Sequence, residues 1–216
     1  MYVHPACKVH PAVSIAFAAA RSFGLVVACD SGRPVASLLP FRVSEADGRL
    51  PRVQFHVSRS DPLAALAAKK GWWLLAVQGA DAYVSPDWYA SPEQVPTWLY
   101  ETVHLSGPVQ IVPCDHAADQ LERLAAQFEA WIAPKQPWTT ERLSSQRREM
   151  LMRAIVAIEM TVETVEGNFK LGQHKGDADH VAVVRALASQ GDPSAHAIAA
   201  RMIALRPRLA YEGAQA

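Results

Sequence analysis

Two hydroxyls and a guanidinium stand side by side in the stretch FHVSRSDP, where Ser58, Arg59 and Ser60 follow an alternating run and precede Asp61–Pro62. Asp61 suits a helix N-cap and Pro62 its first turn. Hydroxyls and a guanidinium beside the first amides of a helix are the groups that cradle a phosphate. The same residues also fit a plainer role, with Ser60 and Asp61 capping a helix and Arg59 solvated. A second stretch, TWLYETVH, has the spacing of a strand. On a regular pleat Trp98, Tyr100, Thr102 and His104 share one face, and Leu99, Val103 and Leu105 take the other. An aromatic and polar face suits a flat ring with polar edges, a subunit interface, or an aromatic plug of the core. A third stretch, GNFKLGQHKGDADH, sets Lys170, Gln173, His174 and Lys175 among glycines directly after a strand. It offers a cation and an amide to an anion, or forms a solvated loop.

No other stretch carries a recognisable catalytic pattern. There is no nucleophile elbow, no His-Glu-x-x-His and no Walker glycine loop. His4, His10 and His116 stand alone. Lysine plus arginine and aspartate plus glutamate number 21 each among 216 residues, so no net field draws the chain to nucleic acid or an anionic membrane. Cys7, Cys29 and Cys114 have no pairing or zinc spacing and read as thiols in a reducing compartment. The start MYVHPACKVHPAVS lacks a signal peptide's basic and apolar regions, and no apolar run reaches the ~20 residues of a membrane span. A cytoplasmic protein with no membrane contact is expected.

The elements that must position these residues are mostly strands. FGLVVACD, PVASLLPFRV and PRVQFHVS read as three, separated by turns at DSGRP and SEADG. DPLAALAAKKG reads as a short helix ended by Gly71, and WWLLAVQGADAYVSP as a strand. TWLYETVHLSGPVQIV reads as a long strand bent or bulged near Gly107–Pro108. DHAADQLERLAAQFEAWI is an amphipathic helix with Leu121, Leu124, Phe128 and Trp131/Ile132 on one stripe. TTERLSSQRREMLMRAI starts another helix, capped by Thr139 or Thr140. VAIEMTVETVEGNFKLGQ reads as a last strand, and the tail from about 177 to 205 as two helices around GDPS. Short connections favour an antiparallel barrel with helices outside it, in one domain spanning 1–216. The tail mimics a DNA-binding helix pair, with Arg201, Arg206 and Arg208 available to phosphate. Its second helix is mostly Ala, Ile and Met, offers little to base edges, and is expected to pack instead.

Taken together, GADAYVSPDWY, VPTWLYETVHLSG, HVSRSDP, LLPF and NFKLGQHKGDADHVAVVRAL resemble the PaiB-type transcriptional regulators, part of the flavin-binding split-barrel superfamily that includes pyridoxamine phosphate oxidases. The resemblance covers nearly the whole chain. It implies a mainly β (α+β) fold, a six-stranded antiparallel split β-barrel with peripheral helices. It further implies a homodimer with flavin mononucleotide (FMN) at the subunit interface. Ser58, Arg59 and Ser60 would hold the phosphate, with His56 and Val57 near the ring. Trp98, Tyr100 and Thr102 would line the isoalloxazine, and Lys170 and Gln173 would approach from the late strand. The chain departs from the family pattern in three places. Leu38–Leu39 precede Pro40–Phe41 where a histidine is usual. Ser58–Arg59–Ser60–Asp61–Pro62 replaces Ala-Arg-Ala-Asn-Pro. Phe169 and Gly172 stand in a WKLSQN-like segment. Asp61 matters most, since a carboxylate beside a phosphate must point away or cap the helix.

The resemblance implies a negative regulator of transcription that binds FMN, with DNA a possible partner though no clear DNA-reading element is present. Two other functions fit the same residues: a flavin-dependent oxidoreductase, or a dimeric interaction protein that has lost its ligand.

Overall fold

The computed structural model describes residues 1–44, 49–132 and 134–211. The turn expected at SEADG therefore lies, from residue 45 to 48, outside the described residues. In chain order the strands are β1 (Lys8–Val9), β2 (Phe23–Asp30), β3 (Arg33–Pro40), β4 (Arg42–Ser44), β5 (Arg52–Ser58), β6 (Trp72–Val84), β7 (Thr97–Ile111), β8 (Ile155–Thr161) and β9 (Thr164–Lys170). The helices are α1 (Pro11–Arg21), α2 (Pro62–Ala67), α3 (Cys114–Glu129), α4 (Ser145–Arg153), α5 (Asp177–Ala188) and α6 (Pro193–Leu205). The strand order is β3-β2-β6-β7-β8-β5-β4, with β9 also paired to β7 and β1 to β9. The registers of β2 with β3 and β6, of β5 with β4 and β8, and of β7 with β8 are antiparallel.

Nine strands are described where six were expected, and three differences account for the change. The run PVASLLPFRV breaks into β3 and β4 at Phe41, whose ring is fully buried and whose N–H donates to Ser22 O at 2.9 Å. The final run breaks into β8 and β9 at Val162–Glu163. There the two N–H groups turn away to Pro51 O (2.8 Å) and Ser106 O (3.0 Å). The third addition is the two-residue β1. Helix α1 was not anticipated, because PAVSIAFAAAR is an apolar run without clear periodicity. Proline at its start and four alanines in its second half favour helix over strand. Helix α4 is capped by Ser144, whose Oγ accepts from Arg147 N at 3.3 Å, rather than by Thr139 or Thr140. The expected bulge in β7 is not seen in its burial pattern. Odd-numbered residues from Leu99 to Val109 stay buried and even-numbered ones more exposed, without a phase change at Gly107–Pro108. Gly107 instead allows a close approach, since a Cβ there would lie 1.8 Å from Thr161 O.

The chain divides into two compact units. The larger contains Ile15–Val77 and His104–Val165. Its core is the inward set of the strands, with Val26, Val53, Phe55, Val57, Leu75, Leu105 and Ile158 all buried. Helix α3 is tied to this sheet by Gln120, whose Nε2 donates to Phe55 O (2.9 Å) and Ile158 O (3.2 Å). The stripe expected on α3 runs only part of its length: Leu124 is buried, whereas Trp131 and Ile132 are exposed, Trp131 lying edge-on to Phe128.

The smaller unit contains Met1–Ser14, Gln78–Val103 and Glu166–Ala216. Its tail helices pack on each other through Val183, Val184, Leu187, Ile198 and Met202. His180 sits among them, with Nε2 3.0 Å from Met202 O. A ring nitrogen facing a carbonyl must carry the proton, so the neutral imidazole already satisfies this contact. Burial lowers the His180 pKa; the Met202 contact and Asp177 oppose the shift, and Arg206 adds to it. The unfolded chain therefore binds a proton near the ordinary histidine value, about pH 6.5, while the folded chain still refuses it. Stability is full above that pH and falls as pH drops below it, until the lowered folded value is passed. Urea melts at pH 7.5 and 5.5 will show this loss, and His180→Gln will reduce it.

Candidate functional site

The ten residues singled out from the sequence fall five in each unit. In the larger unit β5 carries His56 and Val57 into the corner Ser58–Asp61. The pleat sends Val53, Phe55 and Val57 into the core, leaving Val57 only 1% exposed, so its side chain meets no ligand. The corner itself is a tight turn closed by Asp61 N donating to Ser58 O at 2.9 Å. It brings the hydroxyls of Ser58 and Ser60 to 2.8 Å, both exposed.

Arg59 is bound to the protein rather than left in solvent. Its N–H donates to Ala154 O (2.8 Å), Nε to Arg153 O (2.8 Å) and Nη2 to Ile155 O (2.8 Å). Nη1 is the nitrogen without a bond among the described residues. Asp61 does cap the helix: Oδ1 accepts from Leu63 N at 2.8 Å, and Oδ2 accepts from Ser37 Oγ at 2.8 Å. Its charge is thus engaged by the α2 amide and the β3 hydroxyl, which answers the repulsion it raised.

Arg59 edges a cavity of about 920 Å³ whose walls come from α2, α3, α4 and the start of β8. Arg148 and Arg153 also line it, Arg153 being paired with Glu149 at 3.3 Å. Sequence reasoning missed both arginines, since nothing in TTERLSSQRREMLMRAI says which face meets Arg59. The side chain of His56 lines a neighbouring, more apolar cavity. Burial lowers its pKa, and its Nδ1 has no hydrogen-bond partner among the described residues.

In the smaller unit the indole of Trp98 is 54% exposed and lies edge-on to Tyr83, 6.0 Å between ring centroids. Tyr100 and Thr102 follow on the same face of β7, both half-buried. The Tyr100 hydroxyl accepts from Asn168 Nδ2 at 3.2 Å, and Asn168 Oδ1 is buried without a partner among the described residues. Lys170 Nζ donates to Thr97 Oγ1 at 2.6 Å. Gln173 is turned onto its own loop, where Oε1 accepts from Leu171 N at 2.8 Å and Nε2 donates to Phe169 O. It braces the turn after β9 instead of offering an amide to a ligand. Lys175 lies over the Tyr89 ring at 4.8 Å and donates to Gln94 Oε1. Two of the three tail arginines are also engaged. Arg201 Nε donates to buried Glu101 (2.7 Å), and Arg206 donates to Asp177, Gln173 O and Lys175 O. Among the described residues no cluster of three metal-ligating side chains occurs, and no helix is long and apolar enough to cross a membrane.

These features match a known group of proteins. The family described as "Putative FMN-binding domain" matches residues 1–164. The chain is 30% identical over 203 residues to "Protease synthase and sporulation protein PAI 2" of Bacillus subtilis strain 168, spanning 94% of this chain and 96% of that one. Among solved structures, the FAD and heme binding protein of Mycobacterium smegmatis superposes with a TM-score of 0.53 at 16% identity, over 76% of this chain and 72% of that one. The flavocytochrome Anf3 of Azotobacter vinelandii gives 0.53 at 15% identity, over 76% and 69%. At such identities the structures speak for the fold alone. They support the antiparallel, helix-flanked split-barrel class expected from the sequence.

The cap at the corner is open to a direct check. Asp61→Ala will lower stability by about 1 kcal/mol, as lost N-caps do, while Asp61→Asn will stay within a few tenths because asparagine caps equally well. Chemical melts of the two variants beside the parent measure both.

Proposed function

Because the chain belongs to the PaiB-type family of the flavin-binding split-barrel superfamily, we propose that it binds FMN and works in the cytoplasm as a homodimeric regulator of transcription. The observation that carries this reading is the corner Ser58–Ser60. Two exposed hydroxyls lie 2.8 Å apart on either side of Arg59, whose fixed side chain edges a cavity that Arg148 and Arg153 also line. Hydroxyl and N–H donors around a cationic rim are what a phosphate monoester needs. Ser58 and Ser60 would donate to its oxygens. Arg59 would hold the corner in shape and lend charge, and Asp61 would keep its carboxylate on the α2 amide. In the smaller unit Trp98 offers an exposed indole face, and Lys170 a cation next to Thr97, to a planar anionic ligand. When bound, the flavin would supply a two-electron redox centre whose state a regulator can read.

Dimerisation is supported by one face of the larger unit's sheet. Leu25 pairs with Leu38 on β3 and with Ala76 on β6, so these residues share a face. Phe23 (46% exposed), Leu38 (63%) and Trp72 (56%) belong to the same outward set. A contiguous apolar face of this kind marks an interface, and a second copy of the chain would cover it.

Purified protein will be yellow with an oxidised-flavin spectrum, or will quench FMN fluorescence on titration. Ser58→Ala with Ser60→Ala will weaken FMN at least about tenfold, since hydrogen bonds to charged groups are each worth about 1.5–3 kcal/mol. Riboflavin, which lacks the phosphate, will bind parent and variant alike. Colourless protein that leaves FMN fluorescence unchanged would end the reading. Bleaching of bound flavin by a nicotinamide cofactor would favour the oxidoreductase instead. Sedimentation will separate out the dimer: Leu38→Asp will halve the parent's mass, and a parent already monomeric would contradict the interface.

A further inference from the structure

We propose that the larger unit holds a second binding site, in the cavity between β5, α3 and α4, for a neutral ring-bearing molecule with one hydroxyl or amide group. The cavity measures about 540 Å³. Its walls are the apolar stripe of α3 (Leu121, Leu124, Phe128), Leu151 of α4, and Trp138 from the segment between them. Natural interiors are close-packed, with few voids larger than a water molecule. A space of this size, not filled by the chain's own side chains, lies in the volume range of small-molecule sites, about 300–1,000 Å³.

The polar groups on its wall are few. Glu122 Oε1 accepts from Thr140 Oγ1 at 2.5 Å, which pairs the two side chains with each other. Arg148 is exposed and is shared with the larger cavity beside Arg59. Trp138 also belongs to the wall and carries an indole N–H; His56 adds an Nδ1 that is buried and makes no hydrogen bond among the described residues. The large majority of buried side-chain polar atoms are paired, so an unpaired imidazole nitrogen beside an unfilled apolar cavity has room for a partner from outside the chain. Burial holds that ring neutral near pH 7, which disfavours a charged occupant. A neutral imidazole donates at one nitrogen and accepts at the other. A hydroxyl or amide group answers either tautomer. The apolar walls then select a ring-sized body. The flavin reading places its phosphate at the corner hydroxyls and also sets His56 near the ring, so His56 is common to both readings and competition with FMN tells them apart.

The probe is 2-naphthol, a bicyclic ring with one hydroxyl, titrated into the full chain by calorimetry and by its own fluorescence. One equivalent will bind per chain, and naphthalene, which lacks the hydroxyl, will bind roughly three- to tenfold more weakly, the worth of one net hydrogen bond. His56→Leu will erase that difference while leaving the fold intact. Ala125→Trp, which puts an indole into the space from α3, will abolish binding of both probes and raise the melting midpoint. Should that variant misfold, His56→Leu carries the test alone. Three results overturn the proposal: no binding at millimolar probe, as for a cavity holding only water; several equivalents per chain with affinities indifferent to His56→Leu, as for adsorption on the exposed sheet face; or competitive displacement of 2-naphthol by FMN, which would make this the flavin's own pocket.

Discussion

One side chain ties together everything proposed for the larger unit. Arg59 spans from the end of β5 to the α4–β8 junction, with its backbone N–H, Nε and Nη2 taking the carbonyls of Ala154, Arg153 and Ile155. Three hydrogen bonds to consecutive carbonyls fix both partners, two of them from the rigid fork of the guanidinium and one from the backbone. The corner hydroxyls, the cavity beside α2 and the junction ending α4 are therefore held by the same bonds. The sequence suggested a cation waiting for a phosphate. The structure gives that cation first to the backbone, so in the proposed phosphate site recognition would fall to the hydroxyls, with Arg59 setting their position.

The departures from the family pattern look different once their surroundings are known. Asp61 could have been the mark of a site that lost its ligand. It caps α2 and takes a second bond from Ser37, which places its charge on donors of the protein itself. Gly172 sits at φ +74°, a left-handed conformation in the turn after β9 that glycine adopts without strain. Phe169 is buried, with Arg201 over its ring at 5.7 Å. Each change has a structural role where it stands, so none of them argues for decay of the corner.

What the sequence disclosed was local. The alternation of β5 and β7, the Asp61–Pro62 helix start and the core stripe of α3 depend on neighbours within a few residues, and each was legible. The breaks at Phe41 and at Val162–Glu163 were not, because their cause is a backbone partner far along the chain. The loop bonds of Gln173 were not legible for a related reason. An amide after a strand is indifferent between a ligand and its own loop until the turn geometry is known. The cavities were least legible of all, since β5, α3 and α4 meet only through folding.

The outward face of β5 shows why His56 stands apart. Period two sets Arg52, Gln54, His56 and Ser58 on that face. At one end Arg52 and Gln54 donate to buried Glu159 at 2.7 and 2.9 Å, with Gln110 adding a third bond at 3.2 Å. At the other end Ser58 is exposed and paired with Ser60. Where the face is buried, at Glu159, it is satisfied, as the cost of desolvating an unpaired polar group demands. Between them His56 is half-buried against apolar walls, with Nδ1 unpaired among the described residues. A leucine there would pack without that cost. An imidazole on this strand is what the proposed occupant of the neighbouring cavity would pair with.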